Sequence, residues 1–253
     1  MLRTRVIPAI LLRNESLVKT VCFGKFTYVG DPANTVRIFN ELEVDELLFL
    51  DISASSENRS PNLKVLSDIA NECFMPLGYG GGIKSLEQAK EIFDIGFEKI
   101  VINTHAVENP AMIGDIAAHF GSQAVVVSID SKKGLFGDQT VRTLGGKRST
   151  RFDTVKWAME VEKIGAGEIL LTSIDREGTW GGFDLDLVKR VTDAVSIPVI
   201  AHGGAGTIDH IGQVVKQANA SAVALGSMVV FQKKGMGVLI NFPNNDLLAG
   251  VLA

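Results

Sequence analysis

The sequence predicts a closed (β/α)8, or TIM, barrel built from two similar half-barrels, and three observations predict it. The 253 residues match the roughly 250 of such a barrel. Eight apolar strand-like runs alternate with helix-like spacing along the chain, which selects a closed parallel barrel over an open sheet. The text also repeats itself. Glu46 and Glu168 lie 122 positions apart, as do Gly81 and Gly203, and Asn103 and Gly226 lie 123 apart. Glu-Leu-Leu-Phe-Leu-Asp-Ile at 46–52 stands beside Glu-Ile-Leu-Leu-Thr-Ser-Ile at 168–174, and Gly-Gly-Gly-Ile at 80–83 beside Gly-Gly-Ala-Gly at 203–206. Such a tandem repeat places half-barrels at roughly 1–120 and 121–253 within one domain.

Each element has its own signal. Residues 5–12 form a first strand, and the stretch to Gly30 reads as a long loop carrying Lys19 and Lys25, a length that in a compact domain points to function. Asp31 caps a helix running to about Glu43, with Pro32 at the tolerated first position. Residues 46–51 are a second strand ending in Asp51, and helical spacing fills 62–72. The third strand is 75–79, followed by Gly80, Gly81 and Gly82, and Ser85 caps the next helix. Strand four is 99–103, with Thr104 and a helix from about Asn109 behind it. The run Val125-Val126-Val127-Ser128-Ile129-Asp130-Ser131-Lys132-Lys133 reads as a strand covered on both faces, with Asp130 at its end. Strands six, seven and eight fall at 168–173, 197–201 and 221–225.

Composition narrows the function classes. Lys and Arg total 25 against 29 Asp and Glu, a net charge of −4 with both signs interspersed, which argues against a nucleic-acid or anionic-membrane partner. No apolar stretch reaches the ~18 residues of a membrane span, and residues 1–5 lack the pattern of a signal peptide. Two cysteines, Cys22 and Cys73, are too few for a disulfide framework and lack metal-site spacing, so a reduced cytoplasmic setting is expected. The four histidines, His105, His119, His202 and His210, form no ligand spacing either. Neither a metal nor a cofactor is expected.

The repeat pairs two glycine clusters with two small polar pairs. Gly81 and Gly82 go with Asn103 and Thr104 in the first half; Gly203 and Gly204 go with Gly226 and Ser227 in the second. Glycine lets backbone N–H groups approach an oxyanion closely, and barrels commonly hold phosphate at the loops after strands seven and eight. One glycine cluster is as readily a tight turn. Two in symmetric positions predict an elongated ligand with a phosphate at each end. Lys19 is a candidate further charge for that ligand, or a solvated loop lysine. Asp130, at a strand end, stands where barrels keep catalysts, or is a turn or cap aspartate.

The chain closely resembles the cyclase subunit of imidazole glycerol phosphate synthase. The matching text is Phe-Leu-Asp-Ile-Ser-Ala-Ser-Ser (49–56), Gly-Gly-Gly-Ile (80–83), Ile-Asn-Thr (102–104), residues 121–130, residues 165–179 and Gly-Gly-Ala-Gly (203–206). Gly178, within 165–179, joins the phosphate-binding set. The resemblance implies ammonia delivered by a separate class I glutaminase subunit, and cyclisation of a bis-phosphorylated ribulosyl substrate by two aspartates ending strands one and five. Asp130 matches the second; the first position is Leu11. Leucine transfers no proton, so the pair is incomplete, and Asp51, Asp175 and Glu177 are the carboxylates available to replace it. His202 stands where the family has a small serine and reads as a hydrogen-bonded wall residue or a base. The tail 235–243 departs from the histidine-pathway enzymes and resembles paralogues linked to amidino-sugar and lipopolysaccharide biosynthesis, which are associated with a sugar amidotransferase.

Arg5, Glu46, Lys99 and Glu168 stand at strand starts, where charges are ordinarily just solvated. In the resembling family, residues of these types form a salt-bridge gate at the ammonia entrance, held by charge-assisted hydrogen bonds. The chain lacks a glutaminase-like Cys, His, Glu arrangement, so glutamine hydrolysis falls to a partner. Three readings stand: a synthase-like subunit recruited to amidino-sugar biosynthesis, the histidine-pathway cyclase itself, and a non-catalytic ammonia conduit and scaffold.

Overall fold

The computed structural model describes residues 4–252; the leader-free reading at the start of the chain rests largely on residues outside them. Eight parallel strands close on themselves: β1 (Arg5–Arg13), β4 (Leu47–Asp51), β5 (Leu77–Gly80), β6 (Lys99–Ile102), β7 (Val125–Lys133), β10 (Glu168–Ser173), β11 (Val199–His202) and β12 (Ala222–Leu225). They neighbour one another in chain order, β12 pairs with β1, and β7 pairs with β10 across the midpoint of the chain. The (β/α)8 barrel expected from the sequence is therefore present.

The helices between strands begin and end where local chemistry dictates. In α1 (Pro32–Glu41) Asp31 Oδ1 accepts from Asn34 N at 2.9 Å, satisfying one of the free N–H groups of the first turn. Ser85 caps α3 (Leu86–Ile95) in the same way, and Gly96 closes it in the left-handed conformation. The remaining large helices are α2 (Leu63–Glu72), α5 (Ala111–Phe120), α6 (Thr154–Ile164), α7 (Leu185–Thr192), α8 (Ile208–Ala218) and α10 (Asn245–Leu252), the last lying on α8. Short helices α4 (Thr104–Glu108) and α9 (Ser227–Val230) follow β6 and β12.

Strand alternation divides the core in two. On β7, Val125, Val127 and Ile129 face the helices, while Val126 joins Ile7, Ala9, Leu48, Val101, Leu170, Ile200, Ala222 and Ala224 in a separate cluster inside the barrel. The same alternation carries Arg5 to one end of that interior and Leu11 to the other.

Two segments correct the sequence reading. The stretch after β1, expected as a loop, is an antiparallel hairpin of β2 (Ser16–Thr20) and β3 (Phe26–Gly30). A second, unanticipated hairpin, β8 (Gln139–Thr143) and β9 (Arg148–Asp153), follows β7, which itself runs on to Lys133. Neither has a sequence signature, because its outer strand has little buried face: Phe26, Thr27 and Tyr28 are exposed, and so are four of the six residues of β9. A strand with no buried side shows no period-two pattern. Among the described residues no helix is long and apolar enough to cross a membrane.

Candidate functional site

At the end of the barrel where the strands begin, Arg5, Glu46, Lys99 and Glu168 make a closed ring. Arg5 Nη1 donates to Glu46 Oε2 at 2.5 Å and Arg5 Nη2 to Glu168 Oε1 at 2.8 Å. Lys99 Nζ lies 3.1 Å from Glu46 Oε1 and 3.1 Å from Glu168 Oε2. Each cation thus touches both carboxylates. The two carboxylates hold the Arg5 guanidinium above its ordinary pKa although burial acts the other way.

The opposite end opens as a cavity of about 320 Å³. The first predicted cradle lies on its wall, with Gly81, Gly82, Asn103 and Thr104 beside Leu11 and Asp130. The Asn103 and Thr104 side chains serve the scaffold: Asn103 Nδ2 donates to the Ser128 and Arg142 carbonyls at 3.0 and 3.3 Å, and Thr104 Oγ1 accepts from Leu144 N at 3.0 Å. Both side chains are thus engaged within the protein. Arg13 and Lys147 supply positive charge on the same cavity, and His105 lines it beside them.

The second predicted cradle gathers in a small adjoining hollow lined by Gly178, Gly203, Gly204, Gly226 and Ser227, together with Lys19, Glu177 and His202. Backbone passes so close here that side chains cannot fit. A Cβ on Gly204, whose φ is +112°, would sit 2.1 Å from the Gly182 carbonyl oxygen, and one on Gly203, whose φ is +92°, would sit 2.7 Å from the Ser173 carbonyl oxygen. The halves match in backbone as well. Asn103 (φ −115°, ψ −78°) and Gly226 (φ −104°, ψ −93°) both lead into a short helix.

Lys19 is not the loop lysine of the sequence reading. It belongs to β2, is 4 % exposed, and its ammonium forms an ion pair with Glu177. The same carboxylate accepts from Thr20 Oγ1 at 3.1 Å and from Phe23 N at 3.2 Å. Burial holds the Lys19 pKa below the usual lysine range.

Asp130 and Leu11 both line the large cavity, and both are more than nine-tenths buried. Burial pushes the Asp130 carboxyl up to about 7, opposed by Ser128 Oγ, which donates at 3.4 Å, and by the Thr172 hydroxyl. None of the three carboxylates considered as stand-ins for a strand-one aspartate is free. Asp51 Oδ1 accepts from Ser53 N and Ala54 N, each at 3.0 Å, and Asp51 Oδ2 faces Arg59 at 3.5 Å. Asp175 Oδ2 accepts from Lys133 N at 2.8 Å. Glu177 is committed to Lys19.

His202 is fully inside the protein, and its Nδ1 lies 3.0 Å from Thr172 Oγ1. Burial, then the nearby Lys19 charge, pull its pKa down to about 3, so the ring is neutral at pH 7. Thr172 carries no signal of its own in the sequence. Alternation from Glu168 through Leu170 points it inward, as alternation from Val126 through Ser128 points Asp130. Among the described residues no group of three or more His, Cys, Asp or Glu side chains could hold a metal ion.

The sequence model of the histidine biosynthesis protein family matches residues 5–234. Over 248 residues, 98% of this chain and 99% of the relative, the chain is 50% identical to a Pseudomonas aeruginosa protein provisionally named imidazole glycerol phosphate synthase subunit hisF2. It is 45% identical over 245 residues, 96% of this chain and 94% of the relative, to a Vibrio vulnificus protein provisionally named subunit hisF3 of the same synthase. It is 43% identical over 228 residues, 90% of each chain, to the imidazole glycerol phosphate synthase subunit HisF of Alkaliphilus metalliredigens.

Proposed function

The chain belongs to the histidine biosynthesis protein family, with relatives named as HisF subunits of imidazole glycerol phosphate synthase, and from that premise we propose that it is the ammonia-using synthase subunit of a glutamine amidotransferase, recruited to amidino-sugar biosynthesis. A class I glutaminase docks at the ring end, ammonia crosses the apolar interior, and a phosphorylated ligand spans the two cradles at the mouth. A sugar amidotransferase is the downstream partner.

The observation that carries this reading is the pairing of an intact four-residue ring with an altered mouth. The ring closes one end of an interior lined by Ile7, Leu48, Val126, Leu170 and Ile200. Neutral ammonia crosses such a lining, whereas an unpaired ammonium is excluded by the cost of its desolvation. At the far end Asp130 meets Leu11 where two-aspartate cyclisation needs a second carboxylate, and the neighbouring carboxylates are engaged elsewhere. The numbered names of two relatives, hisF2 and hisF3, fit a copy set apart from a histidine-pathway subunit.

The test is to supply the purified chain with ammonium salt and the bis-phosphorylated ribulosyl substrate and to assay imidazole glycerol phosphate. The expected outcome is trace turnover; a rate typical of histidine-pathway cyclases overturns the recruited reading. Leu11→Asp is expected to raise the trace rate by about 10²- to 10⁴-fold, the usual contribution of a general acid or base. Co-purification with a co-expressed glutaminase is expected to survive Asp130→Asn, and failure of the native pair to co-purify removes the ammonia-handling role.

A further inference from the structure

The two hairpins that frame the mouth both carry large apolar side chains in water. β7 runs three residues beyond Asp130 before it turns, which carries the tip of the second hairpin about 10 Å out past that residue. At the tip Leu135 and Phe136 are fully exposed, with exposed Lys132 and Lys133 just before them. On the first hairpin Val21, Phe26 and Tyr28 are exposed, the last two on one face of β3 because they lie two residues apart. These make one rim. Asp175 fastens both hairpins: its Oδ2 accepts from Lys133 N at 2.8 Å, and its carbonyl accepts from Cys22 Sγ at 3.6 Å. The β8–β9 turn is also pressed against the first hairpin, since a Cβ on Gly146 would sit 2.9 Å from a ring carbon of Phe23. Exposed hydrophobic residues scattered singly are ordinary, but five on the two elements around one opening mark an interaction site. Charge is as uneven. Residues 131–153 hold six Lys and Arg against Asp138 and Asp153, a net of +4, in a chain whose net charge is −4. Arg148 is paired with Glu108, while Lys132, Lys133, Lys147 and Arg151 are exposed.

We infer that this rim is the docking surface for the protein that consumes the ammonia, and that the partner presents to it an acidic face with an apolar centre. The inference deepens the reading above and rests on its claim that ammonia emerges at the mouth. Ammonia released into water at pH 7 is protonated, and ammonium is no nucleophile. Delivery therefore needs the acceptor's site sealed onto the opening, by apolar contact around it and by charge that sets the orientation. The rim is arranged in that order. Phe23 and Phe26 line the cavity itself, Leu135 and Phe136 stand outside it, and the lysines flank them. Leu135 and Phe136 are the anchors, because a side chain wholly in water in the free chain gains most from burial. Lys132 and Lys133 select an acidic surface. A second copy of this chain fits less well, since two net-positive rims repel each other. An anionic bilayer matches the charge but consumes no ammonia.

The test uses the full chain in complex with its glutaminase and, as the probe, a purified sugar amidotransferase of the same cell, with binding read by calorimetry. The native complex is expected to bind. The double variant Leu135→Ser, Phe136→Ser is expected to bind about tenfold more weakly or worse, as when anchors of an interface are removed. Lys132→Glu with Lys133→Glu should weaken binding as well, and more at low salt than at high, because exposed charges are screened. All four side chains are exposed, so an unchanged melting temperature is expected of both variants. Sugar amidation fed by glutamine should fall with binding in each, whereas amidation fed by ammonium salt should not. Equal affinity for the native chain and both variants overturns the docking surface, as does a native complex that leaves the amidotransferase unbound. A doubled molar mass that the variants lose would give the rim to a second copy, and binding to anionic vesicles without binding to the amidotransferase would give it to a membrane; either overturns the inference. The glutaminase docks at the opposite end, so its co-purification tests the ammonia-handling role separately, and that role stands whichever of these results is found.

Discussion

The two ends of the barrel keep charge inside a protein by opposite means. At the ring, Arg5 and Lys99 each bridge Glu46 and Glu168, and the four charges cancel in a closed circuit. At the mouth, Asp130 and His202 are buried without an ion partner, and each moves toward its neutral form: the carboxyl upward, the imidazole downward. The ring cannot take that route, because an arginine does not deprotonate in a protein. The comparison teaches that charge at the ring is kept by pairing, whereas at the mouth it is relieved by titration.

Breaking the ring is the severest test. Glu46→Ala leaves Arg5 and Lys99 to share Glu168 in a largely buried setting, and the expected loss is about 3–5 kcal/mol of unfolding free energy by urea denaturation; a loss below about 1 kcal/mol would mean the ring is solvated rather than closed. Glu177→Ala probes the mouth in the same way but should cost less, about 1–3 kcal/mol, because Lys19 can shed its proton. The sign follows from a folded-state lysine pKa lying below the unfolded one. The contribution is present above the unfolded value and is lost as pH falls toward the folded value, so the variant should be weaker relative to the native chain at pH 6 than at pH 9. Equal losses at both would place a permanent charge at Lys19.

The smallest effect is at Asp130. Its folded pKa, near 7, lies above the unfolded value, so its contribution is complete below the unfolded value and declines as pH rises through the folded one. Asp130→Asn lacks that decline and should gain about 1 kcal/mol on the native chain between pH 6 and pH 7, read as a rise in relative melting temperature of about 2–4 °C for a chain of this size. A constant difference across that window would show an Asp130 that is already ionised.

What the sequence made legible and what it hid follow from range. Strand order and both glycine clusters announce themselves through local alternation and repeat spacing, whereas the four ring residues stand out through the family resemblance, since strand-start charge alone reads as solvated. The hairpins did not, since β3 and β9 present mostly exposed side chains. Lys19 read as a loop lysine because Glu177, which permits its burial, lies 158 residues away. His202 was visible as an anomaly in the text, but its hydrogen bond with Thr172 exists only once β10 and β11 lie side by side.

Glu177 ties the first hairpin to the mouth. Its carboxylate accepts from the Lys19 ammonium, the Thr20 hydroxyl and the Phe23 amide, and its own carbonyl accepts from the Cys22 amide. Four groups of the first hairpin therefore hang on one residue of another loop, and they are expected to let go together. Amide hydrogen exchange at Cys22 and Phe23 should report one shared opening event, and the hairpin then behaves as a latch with a single catch.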